Sequence, residues 1–199
     1  SIKEVIDEFK DKTAFEYKID GARVQIHAFN GKIKVFSRGL RDVTFSLPEI
    51  VDMVGEERKL KNCVVEGEVI AVDSNGKPLP FQELMHRFKR LRGIEEEARR
   101  LPIKLYLFDV LVAEGSLMID EPYIGRRNYL IQSVESIPIV ECLITQNLRE
   151  AEDFYRRALE AGHEGVVAKR LSSVYRPGVR GREWLKVKGA LDALDLVIV

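Results

Sequence analysis

The sequence predicts an α+β domain with largely antiparallel sheets. Two observations lead there: segments with the period-two alternation of strands outnumber those with helical spacing, and several follow one another closely enough to pair as hairpins. No internal repeat, low-complexity tract or linker divides the 199 residues, which suffice for one sizeable core.

Ile2, Val5, Ile6 and Phe9 have the spacing of one short amphipathic helix. From 14 to 37 the pattern turns strand-like. Val24, Ile26 and Ala28 alternate with Arg23, Gln25 and His27 as far as Asn30-Gly31, a pair suited to a type I′ turn because both central positions need φ > 0. Ile33, Val35 and Phe36 begin the return strand. Residues 47–54 form a short helix with Pro48 in its first turn, where a missing N–H costs nothing. Residues 63–72 read as a buried strand closed by Asp73-Ser74-Asn75-Gly76. The longest helical candidate, 81–100, is interrupted at Gly93. Strands at 103–112 and 139–144 bracket a helix at 126–133 that follows the Pro122 loop. A helix at 148–161 ends on Gly162, and strands follow at 165–169, 183–187 and 194–199.

Hydrophobic residues at 45% and charged residues at 32% belong to the soluble globular class. No segment approaches the roughly 18 apolar residues of a membrane span. Ser1-Ile2-Lys3-Glu4-Val5 lacks the layout of a signal peptide, so a cytoplasmic, intracellular setting is expected. The 32 basic and 32 acidic side chains cancel, which argues against a non-specific nucleic-acid binder held by bulk charge. A polyanion must meet a local patch. Arg87, Lys89, Arg90 and Arg92 are the densest basic run; they read either as a DNA-phosphate contact or as the wet face of a helix, since Glu95, Glu96 and Glu97 follow. Cys63 and Cys142 lie far apart with no Cys or His at metal spacing, which predicts neither zinc nor a disulfide framework but two small buried hydrophobes.

In a strand, residues two apart share a face, which groups Glu16 with Lys18 and Asp20, Glu66 with Glu68, and Lys186 with Lys188. Singly, each group reads as a solvated outer face. Jointly they carry more, because Gly21, Gly67 and Gly165 adjoin or lie within these strands, where glycine lets a ligand approach the backbone. A lysine is a nucleophile only when deprotonated, so it needs desolvation or cationic neighbours. Attack on a phosphoryl group also needs basic side chains and Mg²⁺ on carboxylates to neutralise developing charge. Lys18, Glu68, Glu164, Lys186 and Lys188 are the residue types such a site requires.

Lys18-Ile19-Asp20-Gly21 resembles the adenylation motif of the covalent nucleotidyltransferases, which comprise ATP-dependent DNA ligases, RNA ligases and messenger-RNA capping enzymes. Ser37-Arg38, Glu66-Gly67-Glu68, Leu107-Phe108-Asp109, Glu164-Gly165-Val166-Val167-Ala168-Lys169 and Leu185-Lys186-Val187-Lys188 follow in the order of that superfamily's motifs. Gly76-Lys77-Pro78-Leu79-Pro80-Phe81-Gln82-Glu83-Leu84-Met85 and Arg126-Arg127 resemble DNA ligases, particularly the archaeal replicative type.

The resemblance implies two antiparallel sheets with a nucleotide cleft between them. Lys18 would attack the α-phosphate of ATP, expel pyrophosphate and hold AMP; AMP would pass to the 5′-phosphate of a nick, and the 3′-hydroxyl would displace it. Glu16 is similar in position to the residue that recognises the adenine amino group, and Phe108 to the aromatic that stacks on the base. Arg23 and Arg38 correspond to phosphate and ribose contacts, Glu68 to a ribose or metal contact, Glu164 to a metal ligand, and Lys186 and Lys188 to phosphate ligands. The implied cofactors are ATP and Mg²⁺. Residues 1–199 would be the adenylation domain, with a DNA-binding domain and an oligonucleotide-binding fold lying outside this sequence. Nicked double-stranded DNA, those two domains and a sliding clamp are the implied partners; no membrane is, and the setting is the nucleoid. Alone, the chain is expected to bind ATP, adenylate itself poorly and barely seal nicks. An RNA ligase, a capping guanylyltransferase and a non-catalytic nucleotide-binding module remain alternatives. His163, beside Glu164, is a further acid–base candidate that lysine chemistry does not require.

Overall fold

The computed structural model describes residues 1–88, 92–179 and 181–189. Helix α1 (Ile2–Phe9) leads into β1 (Thr13–Tyr17), after which the chain crosses from one sheet to another. The β2 (Ala22–Phe29) and β3 (Lys32–Ser37) hairpin forms as the sequence predicts, with Asn30 at φ 51° and Gly31 at φ 72°. Helix α2 (Pro48–Glu56), β4 (Cys63–Ala71), α3 (Phe81–Phe88), α4 (Ile94–Arg100), β5 (Ile103–Ala113) and β6 (Ser116–Leu117) follow. The remainder is α5 (Tyr123–Ser133), β7 (Cys142–Thr145), α6 (Leu148–Glu160), β8 (Gly165–Arg170) and β9 (Trp184–Lys188). The strand expected at 194–199 lies outside the described residues.

Two antiparallel sheets result. One runs β7-β1-β8-β9 and the other β3-β2-β4-β5-β6. The stretch read as strand-like from 14 to 37 therefore belongs to both sheets, and its break is the segment 18–21. Local periodicity does not register a change of sheet, because side chains keep alternating through it. Tertiary contacts pin the crossing: Lys18 N–H donates to the Gly165 carbonyl at 2.8 Å, and Glu164 N–H donates to that of Lys18 at 3.0 Å. Three residues on, a Cβ at Gly21 would lie 2.3 Å from the Val69 carbonyl oxygen, so only glycine lets the chain enter β2 this close to β4.

Each sheet has its own core. Val24, Ile26, Val65, Leu105 and Leu107 pack with Ile50 of α2, Leu84 of α3 and Leu130 of α5. Phe15, Val166 and Ala168 pack instead with Val5 of α1 and Phe154 of α6. Burying such side chains is worth roughly 1.5–3 kcal/mol each, so both halves are held without help from the cleft between them. A smaller cluster of Ile19, Ile70, Val72 and Val140 sits at the junction.

Local signals explain most element ends. Asn147 caps α6 by accepting from Glu150 N–H at 3.2 Å, and Gly93, at φ 66°, separates α3 from α4. Helix α5 begins at Tyr123, ahead of the expected 126, because Pro122 precedes it as its N-cap residue. Cys63 is buried, as expected, whereas Cys142 is half-buried; both thiols are free. Arg87 departs from the basic-run reading. It is buried, ion-paired with Glu49, and donates to the carbonyls of Ser46 at 3.3 Å and Leu101 at 2.9 Å, so it cannot meet DNA phosphates. It follows Leu84 by three residues and so shares the inward face of α3. Lys89 and Arg90 lie outside the described residues. Among the described residues no helix is long and apolar enough to cross a membrane.

Candidate active site

A cleft of about 780 Å³ opens between the sheets, and Glu16, Lys18, Arg23, Arg38, Glu68, Phe108 and Lys186 all line it. Glu164 and Lys188 join through contacts: Glu164 forms an ion pair with Lys18 and lies 3.4 Å from the Lys188 ammonium. Strand pairing explains the convergence. Gly165 of β8 sits opposite Lys188 of β9, and Val167 opposite Lys186, while Lys18 is bonded to the start of β8. A Cβ at Gly165, whose φ is 137°, would lie 2.1 Å from the Val187 carbonyl oxygen, so glycine there allows the lysine strand to approach.

The Lys18 amine has a depressed pKa. Burial is the largest cause, followed by Lys188 and Lys186, against Glu68 and Asp20. Contact with Glu164 favours the ammonium form and so opposes this direction. Glu68 moves the other way, pushed up to about 7 by burial despite Lys18 and Arg23. It pairs across the sheet with Arg23, whose guanidinium bonds Glu66 at 2.6 and 2.7 Å.

The closed end of the cleft is a charged cluster. Glu16, 2% exposed, accepts from Tyr123 at 2.5 Å and Arg127 at 2.8 Å through Oε1, and pairs with Lys169 at 2.5 Å through Oε2. The carboxylate thus has little acceptor capacity left, chiefly on Oε2, for a ligand amino group. Lys169 lies 4.3, 4.9 and 5.3 Å from the ring centroids of Trp184, Tyr123 and Phe108, which hold it by cation–π attraction. Burial, then Glu16, raise the Tyr123 hydroxyl well above its ordinary value, which keeps it a donor.

Lys169, Tyr123, Arg127 and Glu66 carry no role in the sequence reading. One signal for Lys169 was present: a cation ending the apolar run Val166-Val167-Ala168 in a buried strand requires a buried partner. His163 does not line this cleft. It packs against Tyr17 with tilted rings whose centroids lie 5.1 Å apart, has its pKa lowered by burial, and faces a separate hollow of about 230 Å³.

Hard oxygen donors at Glu68 and Glu164 suit Mg²⁺, which takes one or two carboxylates and completes its shell with water and substrate phosphates. Among the described residues no group of three or more His, Cys, Asp or Glu is placed to hold a metal ion. A partly buried amine, several cations, an aromatic face and two carboxylates thus meet around one cleft.

Residues 1–188 match the family model described as ATP dependent DNA ligase domain. The chain is 48% identical to a DNA ligase of Thermococcus fumicolans, covering 100% of the chain and 36% of that protein. It is 46% identical to one of Methanothrix thermoacetophila, covering 94% and 34%. The chain thus spans about a third of the length of the curated relatives it matches. Among solved structures, the ligase domain of M. tuberculosis LigD superposes with TM-score 0.72 at 29% identity over 89% of this chain and 55% of that one. The Chlorella virus DNA ligase-adenylate shares the fold at 17% identity and TM-score 0.58, over 86% and 59%. The poised lysine, the order of the motifs and these likenesses all say that the chain belongs to the ATP-dependent DNA ligase domain family.

Proposed function

We propose that this chain is the nucleotidyltransferase domain of a DNA ligase. Lys18 Nζ attacks the α-phosphorus of ATP, a P–N bond forms as the P–O bond to pyrophosphate breaks, and the lysine holds AMP as a phosphoramidate. AMP then moves to the 5′-phosphate at a nick, and the 3′-hydroxyl displaces it to join the strand. The observation that carries this reading is the partly buried Lys18 amine, depressed in pKa and gathered with Glu164, Lys186, Lys188 and Glu68.

The roles are those the family resemblance implies, and the position of these residues around one cleft supports them. Phe108 offers a base-stacking face, a contact any purine accepts, and Glu16 would read the amino edge through its remaining acceptor site. Arg23 and Arg38 address phosphate and ribose, and Lys186 and Lys188 steady the phosphates and favour loss of pyrophosphate. Glu68 and Glu164 would hold Mg²⁺, which supplies charge neutralisation at the phosphates when bound. The fold reading of 1–199 as an adenylation unit, with a DNA-binding domain, an oligonucleotide-binding fold and a clamp as partners in an intracellular, nucleoid setting, fits a chain about a third as long as its relatives. Alone it would bind ATP, adenylate itself slowly and barely seal nicks.

Incubation with labelled ATP or GTP and Mg²⁺ tests this: retained AMP supports it, and retained GMP points to a capping enzyme. Binding of ATP with no acid-labile adduct at any time would leave a non-catalytic module.

A further inference from the structure

Arg23 is hinged on one nitrogen. Its Nη2 donates to both Glu66 oxygens, at 2.6 and 2.7 Å, and to the Tyr175 hydroxyl at 2.6 Å. Among the described residues Nε and Nη1 have no hydrogen-bond partner, although the side chain lines the cleft. Nη2 has two hydrogens for these acceptors: one is shared by the Glu66 oxygens and the other points to the phenol, so Tyr175 fixes the direction of the second N–H and with it the plane that holds Nε and Nη1. Bidentate pairs fix that plane by engaging two nitrogens, which Arg23 does not do.

Tyr175 belongs to neither sheet. It lies in the connector between β8 and β9, where its N–H donates to the Ile119 carbonyl at 2.8 Å and its ring meets Trp184 edge-on at 6.2 Å. The Arg126 guanidinium stands 5.9 Å from the ring centroid. The phenol is thus fixed independently of Arg23, and it donates in turn to Glu66 Oε1 at 3.0 Å. Burial, then Glu66, push its pKa up to about 12, so the hydroxyl keeps its proton.

We infer that Tyr175 is a positioning residue that ties the β8–β9 connector to Arg23 and aims the two free guanidinium nitrogens at the bound nucleotide. The inference rests on the proposed nucleotide transfer, because aiming Arg23 matters to rate only if the cleft holds phosphate or ribose.

The test is a double-mutant cycle in this chain, following lysyl-AMP formation by intact mass at saturating ATP and Mg²⁺. Tyr175→Phe keeps the ring and should slow adduct formation about tenfold, the scale on which small misplacements act. In an Arg23→Ala background the same change should have no further effect. A merely structural hydroxyl would lower Tm and slow both backgrounds equally. Nitrogen-15 relaxation of the Arg23 Nε–H gives an activity-independent reading: an order parameter near 0.85, roughly that of rigid backbone, should fall below about 0.6 in Tyr175→Phe. Multiplying effects, or an Arg23 equally ordered with and without the hydroxyl, would overturn the inference. If the wild type forms no adduct, the nucleotide-transfer reading fails, and the Arg23 measurement still decides the role of Tyr175.

Discussion

Replacing Arg126 with methionine should be among the costliest changes outside the cleft. Its guanidinium is buried and donates through Nε and Nη2 to Asp109 at 2.8 and 3.1 Å, while Nη1 serves the carbonyls of Glu121 at 2.6 Å and Ser173 at 3.2 Å. Without it Asp109, 1% exposed, keeps among the described residues only the Val110 N–H at 2.8 Å. Removing one partner of a buried ion pair costs about 3–5 kcal/mol, which exceeds what the added methionine surface returns. For a domain of this size each kcal/mol moves Tm by about 2–4 °C, so a drop of roughly 6–20 °C is expected. Combining Arg126→Met with Asp109→Leu should recover most of the loss, because a buried pair exchanged whole for apolar side chains is nearly neutral. Circular-dichroism melts and urea midpoints of wild type, single and double variants measure this. A single variant within about 2 °C of wild type, or a double variant no better than the single, would refute the reasoning.

Three further outcomes follow from the same geometry. Glu68 has a folded pKa near 7, above its ordinary 4.5, so its ionisation opposes folding; the penalty is absent below about pH 4.5, grows towards pH 7 and is complete above it. Glu68→Gln should therefore gain about 2–3 kcal/mol over wild type at pH 8 and almost nothing at pH 4.5, read from urea titrations, while adduct formation falls. Glu57 behaves oppositely: burial raises its pKa, but Ser136 and the N–H groups of Glu135, Ser136 and Ile137 outweigh that and lower it. Its stabilisation is present above pH 4.5 and lost as pH falls through its lower folded pKa, so Glu57→Gln should flatten the acid limb of the stability profile. Gly165→Ala meets the Val187 carbonyl at 2.1 Å and should lower stability by about 2 kcal/mol or more and slow adduct formation at least about tenfold by pushing Lys186 and Lys188 away. Melts and intact-mass time courses check both effects.

Local chemistry made much of the fold legible. Asn30-Gly31 announced its hairpin, Gly93 its helix break, and the alternation of β2 its inward face, because each depends on residues a few positions apart. Elements failed to appear where the deciding contact is distant. Strand β6 is two residues long and exists only through pairing with Val112 and Ala113. Arg87 reads in sequence as a DNA-phosphate contact or a solvated cation, and only its pairing with Glu49, on another helix, makes it a buried one. Within the site, the resemblance to the superfamily's motifs singled out lysines, glutamates and Phe108 that the fold brings to one cleft. The roles of Lys169 and Tyr175 were not legible, since each depends on partners more than a hundred residues away: Glu16 for the first, Arg23 and Glu66 for the second.

The most direct test is peptide mapping after incubation with ATP and Mg²⁺. The account predicts an acid-labile AMP adduct on Lys18 that is absent from Lys18→Ala. An adduct on another lysine, or one that persists in Lys18→Ala, would contradict it.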